Sequence, residues 1–314
     1  MYAVWVAVPA TAASFDGYPS RPVRFVVPLA AGGGTDIVAR QFAQKLSEAW
    51  GHQVVVDNRP GAGGIIGADI AAKAAPDGYT LAMVSSSHTV HPSMRAKLPY
   101  DTVNDFAPVS MLVTYPFLMV AHPSLQARNV KDLIALARAK PRGVSYASSG
   151  SGSAAHLAAE LFKSMTDTDF THVPYKGSGP ALTALIAGEA AIGFYSASAT
   201  MQHVRAGRLK TLASTGARRS SFLPDLPTIA ESGAAGYEAS TWAGVLVPAR
   251  TSASIVKRLH TALMNVLGQV EVRERISKLE FEPVGSSPAE FGATIASEIV
   301  KWRKVVRDSG AKVE

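Results

Sequence analysis

Val23, Phe25, Val26 and Val27 form a run of β-branched and aromatic residues that leads into Gly32, Gly33 and Gly34. From Ile37 the apolar residues Val38, Phe42, Leu46 and Trp50 recur at helical spacing, and Gly51 stands where a helix C′ residue belongs. A buried strand, a glycine loop and a helix in that order leave few folds open. The first N–H groups of such a helix lack intrahelical acceptors and carry the positive end of its dipole. Glycine lets them approach a partner closely, which is how an α/β protein builds an anion site.

The same grammar continues. Residues 53–57 read as a second strand, Asn58-Arg59-Pro60-Gly61 as a turn, and Gly61-Ala62-Gly63-Gly64 as the lead into a helix over 65–75. Pro76, Asp77 and Gly78 stop that helix, and a third strand over 80–84 runs into Ser85, Ser86, Ser87 and His88. In mid-chain the pattern returns: a strand over 144–147, a small-residue loop over 148–153, a helix over 154–165 and a strand over 170–174. A loop over 175–179, a helix over 180–187 begun by Pro180, and a strand over 190–195 follow. Two α/β lobes are predicted, each a doubly wound, mostly parallel sheet. Apolar strands over 116–121 and 242–247 would cross between them.

The later helices have no strands of their own. Ile255, Leu259 and Leu263 mark one, and Ser287-Pro288-Ala289-Glu290 is a capping box opening another, with Phe291, Ile295 and Trp302 along it. They must pack on the first lobe. The expected division is residues 20–117 with 246–314 for lobe 1 and 118–245 for lobe 2. A cleft between hinged lobes is where a ligand belongs.

The 314-residue chain carries a net charge of +7, but its Lys and Arg are scattered, which argues against nucleic acid and for small anions. No cysteine is present, which excludes disulfides and thiol chemistry. No apolar run reaches the ~20 residues that span a bilayer. Residues 2–8 are apolar and Ala10 and Ala12 fit the small positions of a signal cleavage site, although no Lys or Arg precedes Arg21. Residues 1–19 are therefore expected to be a signal-peptide remnant or N-terminal arm, and the protein to be periplasmic.

Other chemistries fit less well. Gly32 and Gly34 match half of a dinucleotide fingerprint and Asp57 its ribose-binding acid, but Ile37 takes the third glycine position and Asp36 puts a carboxylate at the pyrophosphate end. Gly61-Ala62-Gly63-Gly64 lacks the lysine of a P-loop. The loop of Ser148, Ser149, Gly150, Ser151, Gly152 and Ser153 has no G-x-S-x-G elbow, and His156 lies in the following helix as a ligand donor or polar lining. His88 and His91 have a ligating spacing without a third ligand, so neither metal nor cofactor is expected. An enzyme on this scaffold, a dehydrogenase or a hydrolase, stays open as an alternative.

Phe25-Val26-Val27-Pro28 with Gly32-Gly33-Gly34-Thr35-Asp36 resembles the opening of the Bug (TctC-like) substrate-binding proteins of tripartite tricarboxylate transporters. So do Val56-Asp57-Asn58-Arg59-Pro60-Gly61-Ala62-Gly63-Gly64, His172-Val173-Pro174-Tyr175-Lys176-Gly177, Leu226-Pro227-Thr228-Ile229-Ala230-Glu231-Ser232-Gly233 and Trp242-Ala243-Gly244. The resemblance implies a type II periplasmic binding protein, monomeric and not an enzyme. It would deliver a small organic carboxylate to membrane permease subunits, or serve as a sensing receptor. It implies that Leu29, Ala30, Gly33, Gly34, Thr35 and Asp36 from one lobe and Ser148, Ser149, Gly152 and Ser153 from the other grip carboxylates, with Ser85, Ser87, His88, Tyr175 and Lys176 along the sides. Where the family usually carries two aspartates this chain has Ala191 and Tyr195, the second at the cleft. Tyr195 is thus expected to favour an aromatic or aliphatic acid, dicarboxylates included, over an amino acid.

Overall fold

The computed structural model describes residues 17–95, 97–220 and 223–309, so the expected N-terminal remnant lies, up to residue 16, outside the described residues. The chain opens with β1 (Val23–Val27), α1 (Gly34–Trp50), β2 (Val54–Asn58), α2 (Ile65–Ala72), β3 (Thr80–Ser85) and α3 (Ser87–Met94). It crosses on β4 (Phe106–Pro116) to β5 (Leu118–Ala121). There it builds α4 (Val130–Ala139), β6 (Ser145–Ser148), α5 (Ala154–Thr166), β7 (Thr171–Pro174), α6 (Ser178–Ile186), β8 (Ile192–Tyr195), α7 (Ala197–Arg205) and β9 (Lys210–Ser214). It returns on β10 (Ser240–Pro248) and ends with α8 (Ala253–Leu267), α9 (Val270–Lys278), β11 (Glu282–Pro283) and α10 (Pro288–Ser309).

Period-2 alternation sorts the strand residues to the two faces of each sheet. In β3, Leu81 and Met83 join the core under α1, α8 and α9, whereas Ala82 and Val84 join the one under α2 and α10. In β5, Met119 and Ala121 face α4 and α5, and Leu118 and Val120 face α6 and α7. Each sheet is thus covered on both faces, the arrangement α/β proteins use. The first has the strand order β11-β4-β10-β3-β1-β2 and the second β7-β6-β8-β5-β9.

The sheets are mixed, with parallel halves and antiparallel flanks. Strands β1, β2 and β3 pair in parallel, as do β6, β7 and β8. The strands at the crossings do not: β10 runs antiparallel to β3 and β4, and β5 antiparallel to β8 and β9. The crossing segment breaks at Phe117, where the predicted strand over 116–121 is continuous. There Phe117 N donates to Thr215 Oγ1 at 2.7 Å, Thr215 N to Phe117 O at 2.9 Å, and Thr215 Oγ1 to Ala239 O at 2.9 Å. One threonine therefore ties both connections together.

Several elements were not legible: α4, α7, α9 and β9, the length of β4 before Pro116, and α3, which replaces the predicted loop through His88. Pro92 sits in the second half of α3, where it removes the bond a backbone N–H would have made to His88 O. The capping box is formed, with Glu290 N donating to Ser287 Oγ at 3.2 Å and Ser287 N to Glu290 Oε2 at 2.8 Å. It places Phe291, which is fully buried against Gly244 of β10 and edge-on to Trp242 at 5.1 Å. Phe291→Ala should therefore cost about 3–5 kcal/mol of stability, read from urea unfolding, because the site it vacates is walled by strand backbone.

Candidate functional site

The predicted glycine loop is closed by Asp36. Its carboxylate accepts from Gly32 N at 2.9 Å, Arg40 Nε at 3.0 Å and Asn58 Nδ2 at 2.9 Å, with the side chain 3% exposed. That carboxylate is spent on the loop, so Asp36 has only its N–H to offer a ligand. The first intrahelical bond of α1 runs from Ile37 N to Gly33 O at 3.0 Å. The N–H groups of Gly34, Thr35 and Asp36 ahead of it have no acceptor among the described residues, as the first turn of a helix requires.

The second loop is more self-contained than predicted. Gly150 N donates to Ser148 Oγ at 3.2 Å, Ser148 Oγ bonds His172 Nε2 at 2.6 Å, and Gly152 N donates to His156 Nδ1 at 3.1 Å. Ser153 caps α5 by accepting from His156 N at 3.2 Å. His156, His172 and Tyr146 stack beneath the loop with centroids 4.2 and 4.7 Å apart. Burial holds both imidazoles below their usual range, His156 at about 4 and His172 at about 3, with Lys163 adding to the first and His156 to the second. Neutral imidazoles keep the acceptor that Gly152 needs.

Between the halves lies a cavity of about 500 Å³ of atom-free space, mouth included, of which about 30 Å³ is open to the centre of a water molecule. It is narrow. Its wall takes in Leu29, Gly33, Gly34, Thr35 and Asp36 from one side and Ser149, Ala154, Ala155, Ser178, Ser196 and Ala199 from the other. Ser85, Ser87, Tyr115, Phe117, Tyr195 and Thr241 complete it. The first turns of α1, α3, α5, α6 and α7 thus all reach one small space. No Lys, Arg or His among the described residues lines it. Ser87 Oγ accepts from Ala154 N across the cavity at 3.0 Å.

Of the predicted residues, Ala30, Ser148, Gly152, Ser153, His156, Tyr175 and Lys176 stand outside this wall. Ser148, Gly152, Ser153 and His156 are spent holding their own loop. The Tyr175 hydroxyl donates to Glu189 at 3.3 Å, and Lys176 is exposed. His88 lines a smaller adjoining pocket of about 230 Å³ that shares Leu29, Ser85 and Ser87 with the cavity. Its Nε2 faces Thr102 O at 3.1 Å, and His91 lies between Tyr100 and Gly63. Tyr195 reaches the wall, but its ring folds back over Gly193 into the apolar layer under α6, and its hydroxyl is buried without a partner. Burial, then nearby Tyr175, raises that phenol far above its usual value. Tyr195 thus borders the cavity while its ring packs into the apolar layer behind it.

Sequence reasoning missed Tyr115, Phe117, Thr241, Ser178, Ser196 and Ala199. Ser196 stands at an N-cap directly after an apolar strand, and that signal was readable. Tyr115 lies on a crossing strand and no local pattern marks it. Its hydroxyl lies beside Thr35, and a Cβ on Gly34 would stand 2.8 Å from it. Burial pushes the phenol up to about 12, so it is a neutral donor at ordinary pH.

The family model described as tripartite tricarboxylate transporter family receptor matches residues 38–311. BugT of Bordetella pertussis is 39% identical over 98% of this chain and 94% of its own. The structure of Rpa4515 from R. palustris with adipate superposes with a TM-score of 0.91 at 38% identity, covering 95% of this chain and all of the other. MatC from Rhodopseudomonas palustris with bound malate gives 0.87 at 31% identity, over 92% of this chain and all of that one.

Beside the cavity, burial pushes His88 down to about 4, and burial and then His88 push His91 to about 3. Below pH ~6.5 the unfolded chain takes up protons that the folded one refuses, so stability present above that pH is lost as pH falls toward 4. Each imidazole should contribute up to about 1.4 kcal/mol per pH unit in that window. Urea unfolding at pH 7, 6 and 5 checks this, and His88→Gln should flatten the slope.

Proposed function

The chain belongs to the tripartite tricarboxylate transporter receptor family, and we propose that it captures a slender organic carboxylate in the cavity between its sheets and delivers it to membrane permease subunits from the periplasm. The observation that carries this reading is the meeting of five helix N-termini around a space lined, among the described residues, by no cationic side chain. Donors of that kind suit an anion. They come from both halves: Gly34, Thr35 and Asp36 of α1 on one side, Ser149 and the first turns of α5, α6 and α7 on the other. Two opposed donor sets favour a molecule with a carboxylate at each end. Rpa4515 with adipate and MatC with malate support the same class.

Narrowness favours an aliphatic chain over a ring. The lining also speaks against an amino acid, for a reason other than the expected contact with Tyr195. A buried ligand ammonium needs a carboxylate partner. Asp36 supplies the one carboxylate of the wall, and Gly32, Arg40 and Asn58 already hold it. Nothing in this arrangement assembles a nucleophile with a base in the cavity, so binding without turnover is the function it favours.

Calorimetry on the purified protein with succinate, adipate, benzoate and glutamate tests the reading. Aliphatic dicarboxylates should bind most tightly and glutamate weakly; tight glutamate binding, or turnover of any of these acids, would overturn it. Ser149→Ala should cost about 1.5–3 kcal/mol of binding, the worth of a hydrogen bond to a charged group. Gly34→Val should abolish binding, because its first carbon already meets the Tyr115 ring at 3.0 Å.

A further inference from the structure

The Gly61-Ala62-Gly63-Gly64 turn contributes nothing to the wall of the main cavity, yet it touches the other half of the molecule. A Cβ on Gly63 would stand 2.5 Å from the Ser151 carbonyl oxygen and 3.7 Å from Ser153 N. A Cβ on Gly150 would meet Gly63 N at 3.4 Å. Elsewhere the contact is repeated: a Cβ on Gly177 would stand 2.5 Å from Ala30 Cβ and 3.2 Å from Ala30 N, and one on Gly179 would meet Ala31 O at 3.1 Å. At these points main chain rests on main chain or on the Ala30 methyl, with no flexible side chain between to give way.

The turn itself is held from behind. A carbonyl only accepts, so His91 Nε2 carries the proton it donates to Gly63 O at 3.2 Å. His91 Nδ1 is then left to accept from the Tyr100 hydroxyl at 2.7 Å. All three groups are inside the first half, and the imidazole is buried. The Gly63 bearing is therefore a fixed surface.

We propose that Gly63 and Gly177 are specificity-determining residues: they are the bearing points that set how near the two halves come, and so how thick a ligand the cavity accepts. The ligand part of this proposal rests on the carboxylate reading above. A molecule thicker than the gap keeps Gly63 off Ser151 and Gly177 off Ala30. It then also forfeits the bond from Ala154 N to Ser87 Oγ that spans the cavity. A small acid of the right thickness lets both bearings seat.

The test compares Gly63→Ala with Gly51→Ala. The two glycines share a backbone conformation, φ 69° and ψ 10° at Gly63 and φ 67° and ψ 9° at Gly51, but a Cβ on Gly51 meets nothing within 4 Å. Backbone cost is thus matched and only the bearing differs. Because the chain has no cysteine, Lys131→Cys and Lys257→Cys place one spin label in each half without background. Pulsed dipolar spectroscopy should show a longer label distance in Gly63→Ala and in Gly177→Ala, and an unchanged one in Gly51→Ala. In calorimetry Gly63→Ala should lose about tenfold or more in affinity for adipate, about 1.4 kcal/mol. It should lose less for the thicker isophthalate, so the ratio between the two acids moves. Equal label distances in Gly63→Ala and Gly51→Ala, or equal losses for both acids, would overturn the proposal. A wild type that binds neither acid would overturn the carboxylate reading, and the label distances would still decide the bearing.

Discussion

Three consecutive N–H groups at Gly34, Thr35 and Asp36 border the cavity with no acceptor among the described residues, and that deficit organises the structure around it. A buried amide left unpaired costs free energy comparable to a lost hydrogen bond, so the acceptor must come from outside the protein. The surroundings keep the deficit in place. Asp36 turns its carboxylate back onto Gly32, Arg40 and Asn58, which pins the loop and leaves the N–H groups forward. The opposing half brings the starts of α5, α6 and α7 to the same space, although α5 has already spent Ala154 N on Ser87 and His156 N on Ser153.

Holding two such surfaces face to face falls to the connections and to one seam. Tyr115 is the link on the connection side: its ring stacks on Phe281 at 4.1 Å while its hydroxyl reaches Thr35. Any rotation about the crossing strands moves that hydroxyl relative to the N–H groups it borders. On the other side Val90, Met94, Leu157, Trp302 and Val306 form an apolar cluster between α3, α5 and α10. Leu157 lies one turn into the helix whose start lines the cavity. Parting the halves would therefore wet apolar surface and donors together, and the two opposing costs are what a ligand with two anionic ends would rebalance.

Much of this was legible where local rules govern. The strand, glycine loop and helix around Gly33, the C′ residue Gly51 and the capping box at Ser287 follow from short-range sterics and hydrogen bonding. Gly51 N indeed closes onto Ser47 O at 3.0 Å. The expected loop residues Gly34, Thr35, Ser85 and Ser149 reach the cavity wall for the same reason. What failed was non-local. Whether Ser148 points at a ligand or at His172 depends on a ring contributed by β7, twenty-odd residues away and invisible to a pattern at residues 148–153. Tyr195 looked like a cleft residue because parallel strands end at clefts. It does border the cavity, and the absence of a side chain at Gly193, two positions back on the same face, lets its ring also pack back along β8. Tyr115 belongs to neither sheet's loops and could be found only by knowing where the crossing strand begins.

A guanidinium in this cavity would grip an anion harder, and its absence has a physical consequence. An arginine buried with its carboxylate partner becomes an uncompensated buried charge when the partner leaves, a change that costs about 3–5 kcal/mol. Dipoles and neutral hydroxyls carry no such debt. Once the halves part, water satisfies the N–H groups of Gly34 and Thr35 and the hydroxyls of Ser149 and Thr35 nearly as well as a carboxylate does. Arg40, behind the loop, is already engaged by Asp36 and Asn58 and need not move. Tyr115, kept protonated by burial, donates without ionising. A site built this way would hold an anion only while the cavity is dry, so the geometry that closes it would also determine when a bound anion leaves.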